Sequence, residues 1–264
     1  MLLCIDVGNT QTTIGLICED HKLCRQWRMA TSKSDTADQI RATLHGFFTM
    51  LDLDIHQVVD SAIASVVPTL GQSWERLLRD ITGHDPLMVD ATRDCGIDVA
   101  LPYPQQIGAD RIANAVSARD AYGAPVIVVD FGTATNIDVV DRTGAFRGGV
   151  IMPGLMLSAN ALFSYASRIA SVPMVKPAHA LGDTTDGAVQ SGLVIGAAAM
   201  AEGLVSRIVS ELGEEKVKVV ATGGLASVVS EATDLFDTID PDLTIRGIYQ
   251  IWKHREEKRG AQDS

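Results

Sequence analysis

The same short pattern occurs twice in this chain, about half its length apart, and it constrains the fold more than any other feature. In each copy an apolar strand ends in Asp-x-Gly, at Asp6–Gly8 and again at Asp130–Gly132. The glycine lets the backbone reverse direction at little steric cost. A second β-rich segment follows in both copies, at 12–17 and at 135–140. The repetition predicts two related halves, each of which begins with a hairpin.

A hairpin of this kind suits a polyphosphate. Backbone N–H groups and hydroxyls near the turn bind phosphate oxygens, while the carboxylate holds an accompanying cation. One Asp-x-Gly alone is typical of an ordinary hairpin turn, but two copies in matching context favour a phosphate site. The sequence contains no Gly-Lys pair and no Gly-x-Gly-x-x-Gly, so the familiar phosphate-binding loops are excluded.

Composition limits the partners that the chain can have. Its 264 residues carry a formal net charge of −11, and 46% of them are hydrophobic. This suits a globular protein with a buried core and argues against nucleic acid, whose binding proteins usually present a basic face. The longest weakly polar stretch, 192–205, is too short to span a membrane and contains Glu202. We therefore expect a cytoplasmic protein that binds neither nucleic acid nor membrane.

The four cysteines show no metal or redox pattern. Cys4, Cys18, Cys24 and Cys95 form no Cys-x-x-Cys pair and have no histidine at zinc-finger spacing. We expect buried or free thiols in a reducing cytoplasm.

The predicted elements follow one plan twice: three antiparallel strands, then alternating helices and strands. The six hairpin strands are predicted at 2–7, 12–18, 23–29, 125–130, 135–141 and 145–152. This order describes an α/β protein made of two duplicated ribonuclease-H-like (actin-like ATPase) domains, with mixed sheets, covering helices and an active-site cleft between the domains. We expect the domains to span residues 1–115 and 116–264.

Helices are predicted after each set of strands. Ser34 or Asp35 is expected to cap the first helix. Thr184 to Leu212 is predicted to form one long helix rich in Gly and Ala. The charged run Lys253 to Arg259 is interpreted as a solvated helix end rather than a binding surface.

A second candidate site lies at the start of the helix predicted over 108–121. Its sequence is Gly108, Ala109, Asp110, Arg111. Taken alone, such an acid and base would only cap and solvate the helix terminus. In a phosphate-binding protein the helix dipole would keep Asp110 ionised, so that it accepts a proton from a substrate hydroxyl as that oxygen attacks phosphorus. Arg111 is suited to a forked pair with a carboxylate or a phosphate.

Two glycine-containing segments end predicted strands. Gly148–Gly154 and Ala221–Gly224 allow a flat ligand such as adenosine to approach closely, and tight turns are the alternative. Thr185, in the run Gly182–Thr185, is by itself simply a helix cap.

Taken in order, these segments closely resemble the type III pantothenate kinases of the acetate and sugar kinase/Hsp70/actin superfamily. The matching segments are Asp6–Thr13, Trp27–Thr31, Gly108–Arg111, Asp130–Ala134, Gly148–Gly154, Gln190–Gly192 and Thr222–Ala226. They are collinear over nearly the whole chain. The run Gly108–Arg111 is the segment that separates this family from sugar kinases.

The resemblance implies ATP-dependent phosphorylation of the primary hydroxyl of pantothenate to give 4'-phosphopantothenate, the first step of coenzyme A biosynthesis. It implies that Asp110 is the catalytic base and that Gly108, Ala109 and Arg111 line the pantothenate pocket with it. The residues expected to contact ATP are Asp6, Val7, Gly8, Asn9, Thr10, Gln11, Thr12, Thr13 and Thr133.

Ions and a second subunit are implied as well. Asp6 is expected near the Mg²⁺-bound phosphates, and Asp130 resembles the family's ligand for an activating monovalent cation, K⁺ or NH₄⁺. Members are homodimers with sites at the interface. Thr185 aligns with a threonine that reaches the substrate of the neighbouring subunit.

Two alternatives remain open at this stage. If the chain were another phosphotransferase of the same superfamily, the match of Gly108–Arg111 to this family would have to be a coincidence. A catalytically inactive nucleotide-binding accessory protein would have no reason to retain Asp6, Asp110 and Asp130 together.

Overall fold

The computed structural model describes residues 1–166 and 169–262, and within them the strands form two five-stranded sheets. The chain divides into two compact units. The first contains Met1–Ser117 and the chain from Leu243 onward, and the second is Ala118–Asp242. The sequence-based division at 115/116 placed the C-terminal segment in the second half, whereas its helix lies in the first unit. Its buried residues, Leu243 and Ile248 among them, explain this, because they need an apolar partner surface.

The two sheets have the same strand order. The strands are β1 (Leu2–Val7), β2 (Gln11–Ile17), β3 (Leu23–Ala30), β4 (Asp60–Ser65), β5 (Leu87–Met88), β6 (Val126–Phe131), β7 (Ala134–Val140), β8 (Phe146–Pro153), β9 (Lys218–Thr222) and β10 (Thr238–Ile239). The orders are β3-β2-β1-β4-β5 and β8-β7-β6-β9-β10. In each sheet the first three strands are antiparallel and the last two run parallel to the first. The duplicated α/β plan is therefore confirmed.

The duplication extends to strand irregularities. The pairing of the second and third strands shifts by one residue between Leu16 and Ile17, and again between Val139 and Val140. Such bulges bend a strand and increase its twist. Both hairpins therefore have the same distortion at the end remote from the Asp-x-Gly turn.

Eight helices within the described residues accompany the sheets: α1 (Ala37–Thr49), α2 (Pro68–Thr82), α3 (Ala109–Tyr122), α4 (Leu155–Tyr165), α5 (Thr185–Gln190), α6 (Gly196–Leu212), α7 (Ala226–Ser230) and α8 (Leu243–Gln262). The cap of α1 is Thr36 rather than Ser34 or Asp35. Its hydroxyl accepts from the Gln39 N–H while the Gln39 side chain accepts from the Thr36 N–H. This reciprocal pair satisfies two N–H groups that the helix itself cannot bond.

Helices cover both faces of the first sheet. On one face Ile5 and Ile14 belong to a core cluster with Leu44 of α1 and Trp74 of α2, all 1% exposed or less. Each side chain of this kind contributes about 1.5–3 kcal/mol when fully buried. Helix α8 packs on the sheet as well, against β1, β2 and β4. The first sheet is thus held between layers of helices.

The long helix predicted for the second unit is present with one irregularity. Helices α5 and α6 are joined by a π-helical segment, Ser191–Ile195, into one run of 28 residues, Thr185–Leu212. Its length and apolar composition would by themselves allow it to cross a membrane, so the 14-residue estimate from the sequence was too short. Val194 and Ala201 nevertheless belong to the core cluster of the second unit, so part of this helix packs inside that unit.

The expectation of four thiols was wrong for two of the cysteines. Cys18 and Cys24 form a disulfide across the β2–β3 turn, with a Cα–Cα distance of 5.9 Å, which is usual for this bond. Cys4 and Cys95 are free and buried. The spacing of six residues matched no sequence motif, and only the hairpin brings the two sulfurs together.

Candidate active site

The first Asp-x-Gly segment forms a closed turn. The Gly8 N–H donates to the Gln11 carbonyl over 3.1 Å. Asn9, Thr10 and Gln11 are exposed, whereas Asp6 is partly buried. Parallel strand β4 pairs with β1 so that Asp6 lies opposite Ala64. The turn therefore presents polar side chains at the edge of the sheet where two parallel strands end.

The end of β3 completes this turn. The Thr31 N–H donates to the Thr10 carbonyl over 2.9 Å, and the hydroxyls of Thr12 and Thr31 lie 2.9 Å apart. Thr12 is only 2% exposed, so this hydroxyl pair stabilises the turn from its buried side. Thr31 belonged to a segment that the sequence analysis matched, but it was given no role there.

Asp110 lies beside the same sheet edge. The Val66 N–H, just after β4, donates to the Val7 carbonyl over 3.1 Å. The Val66 side chain in turn lies 3.4 Å from the point where a Cβ on Gly108 would be, and the Asp110 carboxylate lies closer still to that point. Val66 thus contacts both the first turn and the start of α3. Within the first unit, Val66 therefore links the end of β1 to the segment Gly108–Arg111.

Burial changes the acidity of Asp110. Removal of its carboxyl from water raises the pKa above the usual aspartate range, although a hydrogen bond of 2.8 Å from the Arg111 N–H and the charge of Arg111 act in the opposite direction. The sequence analysis expected the helix terminus to keep the group ionised. The structure shows that desolvation is the larger effect, and a raised pKa makes the carboxylate a better proton acceptor.

The second Asp-x-Gly segment is assembled in the same way from the second unit. Asp130 lies opposite Asn136 of β7 and Thr222 of β9. The Gly132 N–H donates to the Ala134 carbonyl over 3.1 Å. A Cβ on Gly154 would lie 2.5 Å from the Gly132 carbonyl oxygen. The segments that the sequence analysis matched at 130–134, at Gly154 and at 222–224 therefore lie together.

Gly223 lies directly against Asp130. It has φ +91°, and a Cβ at this position would be 2.5 Å from the Asp130 Oδ1 and 2.6 Å from the Phe131 carbonyl carbon. The chain can pass this close to the carboxylate only because residue 223 has no side chain. Carboxylate and backbone carbonyl oxygens are the ligand types that hard cations prefer.

Thr185 lies apart from these segments in the chain. It is the exposed first residue of α5, and the cap is its neighbour Thr184, whose hydroxyl accepts from the Gly187 N–H over 3.1 Å. The interpretation of Thr185 as the helix cap was wrong by one residue. Its hydroxyl is consequently not used by the capping bond.

Three residues of the site, Thr31, Val66 and Gly223, have roles that were not predicted from the sequence. Val66 had a weak signal, since it follows a buried strand and precedes Pro68, which begins α2. Gly223 was noted only as a possible close approach to a flat ligand. Its contact with Asp130, more than 90 residues away in the chain, could come only from the β6–β9 pairing.

Comparison with known sequences gives a consistent result. A sequence model of the family described as type III pantothenate kinase matches residues 2–207. A type III pantothenate kinase of Thermomicrobium roseum is 39% identical over 261 residues, which cover 99% of this chain and 100% of that protein. One from Desulfosudis oleivorans is 41% identical over 257 residues, covering 97% and 100%.

Solved structures agree in fold. A putative Baf family transcriptional activator from Campylobacter jejuni has a TM-score of 0.63 at 17% identity and covers 97% of this chain, with 99% of its own chain aligned. The activator of 2-hydroxyisocaproyl-CoA dehydratase from Clostridium difficile, solved with bound ADPNP, has a TM-score of 0.57 at 11% identity and covers 100%, with 97% of its own chain aligned. These likenesses confirm the actin-like ATPase and sugar kinase fold.

Proposed function

Because this chain belongs to the type III pantothenate kinase family, we propose that Asp110 is the base that takes the proton from the primary hydroxyl of pantothenate. The chain is a kinase that phosphorylates pantothenate, with ATP as donor and a divalent cation. The observation that supports the role of Asp110 is its place next to Val66, which also contacts the first turn.

The proposed step is a direct transfer. The pantothenate oxygen forms a bond to the terminal phosphorus of ATP, the bond from that phosphorus to the bridging oxygen of ADP breaks, and the hydroxyl proton passes to Asp110. The raised pKa of Asp110 suits this task, because a more basic carboxylate has a larger driving force for accepting the proton. Arg111, the next residue, is proposed to pair with the carboxylate of pantothenate.

We assign the phosphates of ATP to the two turns. The first turn offers the exposed Asn9, Thr10 and Gln11, held in a closed turn by the Gly8 N–H bond to the Gln11 carbonyl, and the second offers the exposed Thr133. Asp6, partly buried at the end of β1, is suited to the Mg²⁺ that accompanies the phosphates. Bound Mg²⁺ would neutralise charge on the phosphate oxygens during transfer.

Asp130 is proposed to hold a monovalent cation, K⁺ or NH₄⁺. The support is the match of Asp130–Ala134 to the family's segment, together with the close packing of the Gly223 backbone on the Asp130 Oδ1, which fixes the position of the carboxylate. Oxygen ligands are the type that such a cation requires, and the Asp130 Oδ1 lies 3.5 Å from the point where a Cβ on Gly132, in the β6–β7 turn, would be.

We further propose that the enzyme acts as a homodimer to which Thr185 contributes. The second unit exposes large apolar side chains on and around α4 and α6: Met156, Leu157, Tyr165, Leu181 and Met200 are 44 to 92% exposed. Exposed apolar surface of this extent is typical of an interface. Sedimentation of the purified chain tests the assembly, and a monomer at micromolar concentration would contradict it.

The decisive experiment is the substitution Asp110→Asn. Release of ADP is measured with ATP, Mg²⁺ and K⁺, with and without pantothenate. The native protein should release ADP only when pantothenate is present. The variant should lose turnover by about 10²- to 10⁴-fold, which is the usual contribution of a general base, while its affinity for ATP stays unchanged. Retention of most of the activity would refute the role of Asp110.

A further inference from the structure

Helix α8 touches the helix that carries Asp110 backbone to backbone. A Cβ on Gly247 would lie 2.5 Å from the Ala113 carbonyl carbon and 2.9 Å from its Cα, with the carbonyl oxygen nearer still. No rotamer change relieves such a contact, because every atom involved belongs to the main chain. The spacing of α8 and α3 at this point therefore depends on Gly247 having no side chain.

Two buried polar bonds fix the same crossing, and both come from residues just before the glycine in α8. The Thr244 hydroxyl donates to the Asn114 Oδ1 over 2.7 Å. The Arg246 Nε donates to the Ser117 hydroxyl over 3.0 Å. Asn114 and Ser117 are 1% exposed or less, and a buried polar group that loses its partner carries a free-energy cost. These bonds fix the position of α3 along α8 and the rotation of α3 about its own axis.

Asp110 lies close to this crossing on a continuous helix. Ala113 follows it by three residues, less than one helical turn or about 4.5 Å along the axis. A helical segment this short is rigid, so a displacement of α3 at Ala113 also displaces the Asp110 carboxyl. Misplacement of a catalytic group by about 1 Å can reduce a rate by about 10²-fold.

The same helix also holds the loop that leads to the Asp110 segment. The Asp94 carboxylate accepts from the His254 ring over 3.1 Å and pairs with Lys258. Gly96 packs its α-carbon against the His254 ring, where a Cβ would lie 3.1 Å away. The charged run that the sequence analysis interpreted as a solvated helix end therefore contains two residues that anchor a loop of the first unit.

We infer that α8 is a positioning element for catalysis: Gly247 and Thr244 hold α3 so that the Asp110 carboxyl meets the substrate hydroxyl. This inference rests on the proposed role of Asp110. Gly247 and Thr244 contact Ala113 and Asn114 of α3 and are not among the residues proposed to bind substrate or nucleotide. The inference assigns their effect on the reaction to Asp110, and the double substitution below separates it from any effect that α8 has through β1, β2 and β4.

The test uses two variants of the full-length enzyme with matched controls. Thr244→Val removes the bond to Asn114 at nearly constant volume, and Thr244→Ser keeps the hydroxyl. Gly247→Ala adds the clashing methyl group, and Gly260→Ala adds one on the same helix where nothing lies within 4 Å. Thr244→Val and Gly247→Ala should lower kcat by roughly tenfold or more with the KM for ATP unchanged. The two controls should keep native kcat.

A double substitution shows whether the effect passes through Asp110. In the Asp110→Asn background, Thr244→Val should cause no further loss of the residual rate, because the group that it displaces no longer acts as a base. An equal further loss in that background, a parallel rise in the KM for ATP, or native kcat in Thr244→Val would each overturn the inference. If Asp110→Asn alone keeps its activity, the proposed base fails instead, so the two failures are distinguishable.

Discussion

A methyl group at residue 223 tests the second half of the site most sharply. The change Gly223→Ala places a Cβ 2.5 Å from the Asp130 Oδ1 and 2.7 Å from the Phe131 nitrogen, at a residue whose φ is +91°. Real side chains do not tolerate contacts this short, so either Asp130 or the β6 backbone must move.

The size of the effect follows from two costs. A side chain in the left-handed region costs roughly 1–2 kcal/mol, and overpacking against a rigid neighbour costs about 1–3 kcal/mol. Together they predict a loss of about 2–5 kcal/mol in the free energy of unfolding. At about 4 °C per kcal/mol, the midpoint of thermal unfolding should fall by roughly 8–20 °C.

The neighbouring glycine provides the control. A Cβ on Gly224 meets nothing within 4 Å, so Gly224→Ala should change stability by less than about 1 kcal/mol. Calorimetry of the native protein and both variants in the same buffer gives the comparison. If Gly223→Ala unfolds at the same temperature as Gly224→Ala, the close packing of residue 223 on Asp130 is refuted, and with it the support for a cation site there.

Two further predictions concern the same carboxylates. Burial raises the pKa of Asp110, so between about pH 3.9 and the raised value the folded state holds a proton that the unfolded state has released, and stability falls as pH rises through that range. Asp110→Asn should therefore resist urea better than the native protein at pH 7, and the difference should vanish below about pH 4. Lower stability of the variant at pH 7 would contradict the burial argument. Replacement of K⁺ by Na⁺ should depress turnover of the native enzyme, and Asp130→Asn should respond equally to both ions; native turnover that ignores the exchange would remove the cation role of Asp130.

Much of the fold could be predicted from local patterns. The strand periodicity around Ile5 and Val128 and the repeated Asp-x-Gly turns were sufficient for the duplicated sheets, because a strand buried between helices must be apolar and a turn this tight favours glycine. The helix cap at Thr36 and the first residue of α5 were each displaced from expectation by one or two residues. Neighbouring hydroxyls compete for a cap, and only the path of the chain selects one.

The sequence by itself determined the family, the reaction class and the residue types at the two turns and at Asp110, because those features are short, contiguous runs whose chemistry is local. Tertiary structure alone decided what surrounds them. The raised pKa of Asp110 depends on how much water its neighbours exclude. The Cys18–Cys24 bond, the contact of Gly223 with Asp130 and the packing of Gly247 on Ala113 each depend on strand pairing or helix crossing. A sequence records the residue that leaves room for such an approach, but only the folded chain shows which distant backbone fills that room.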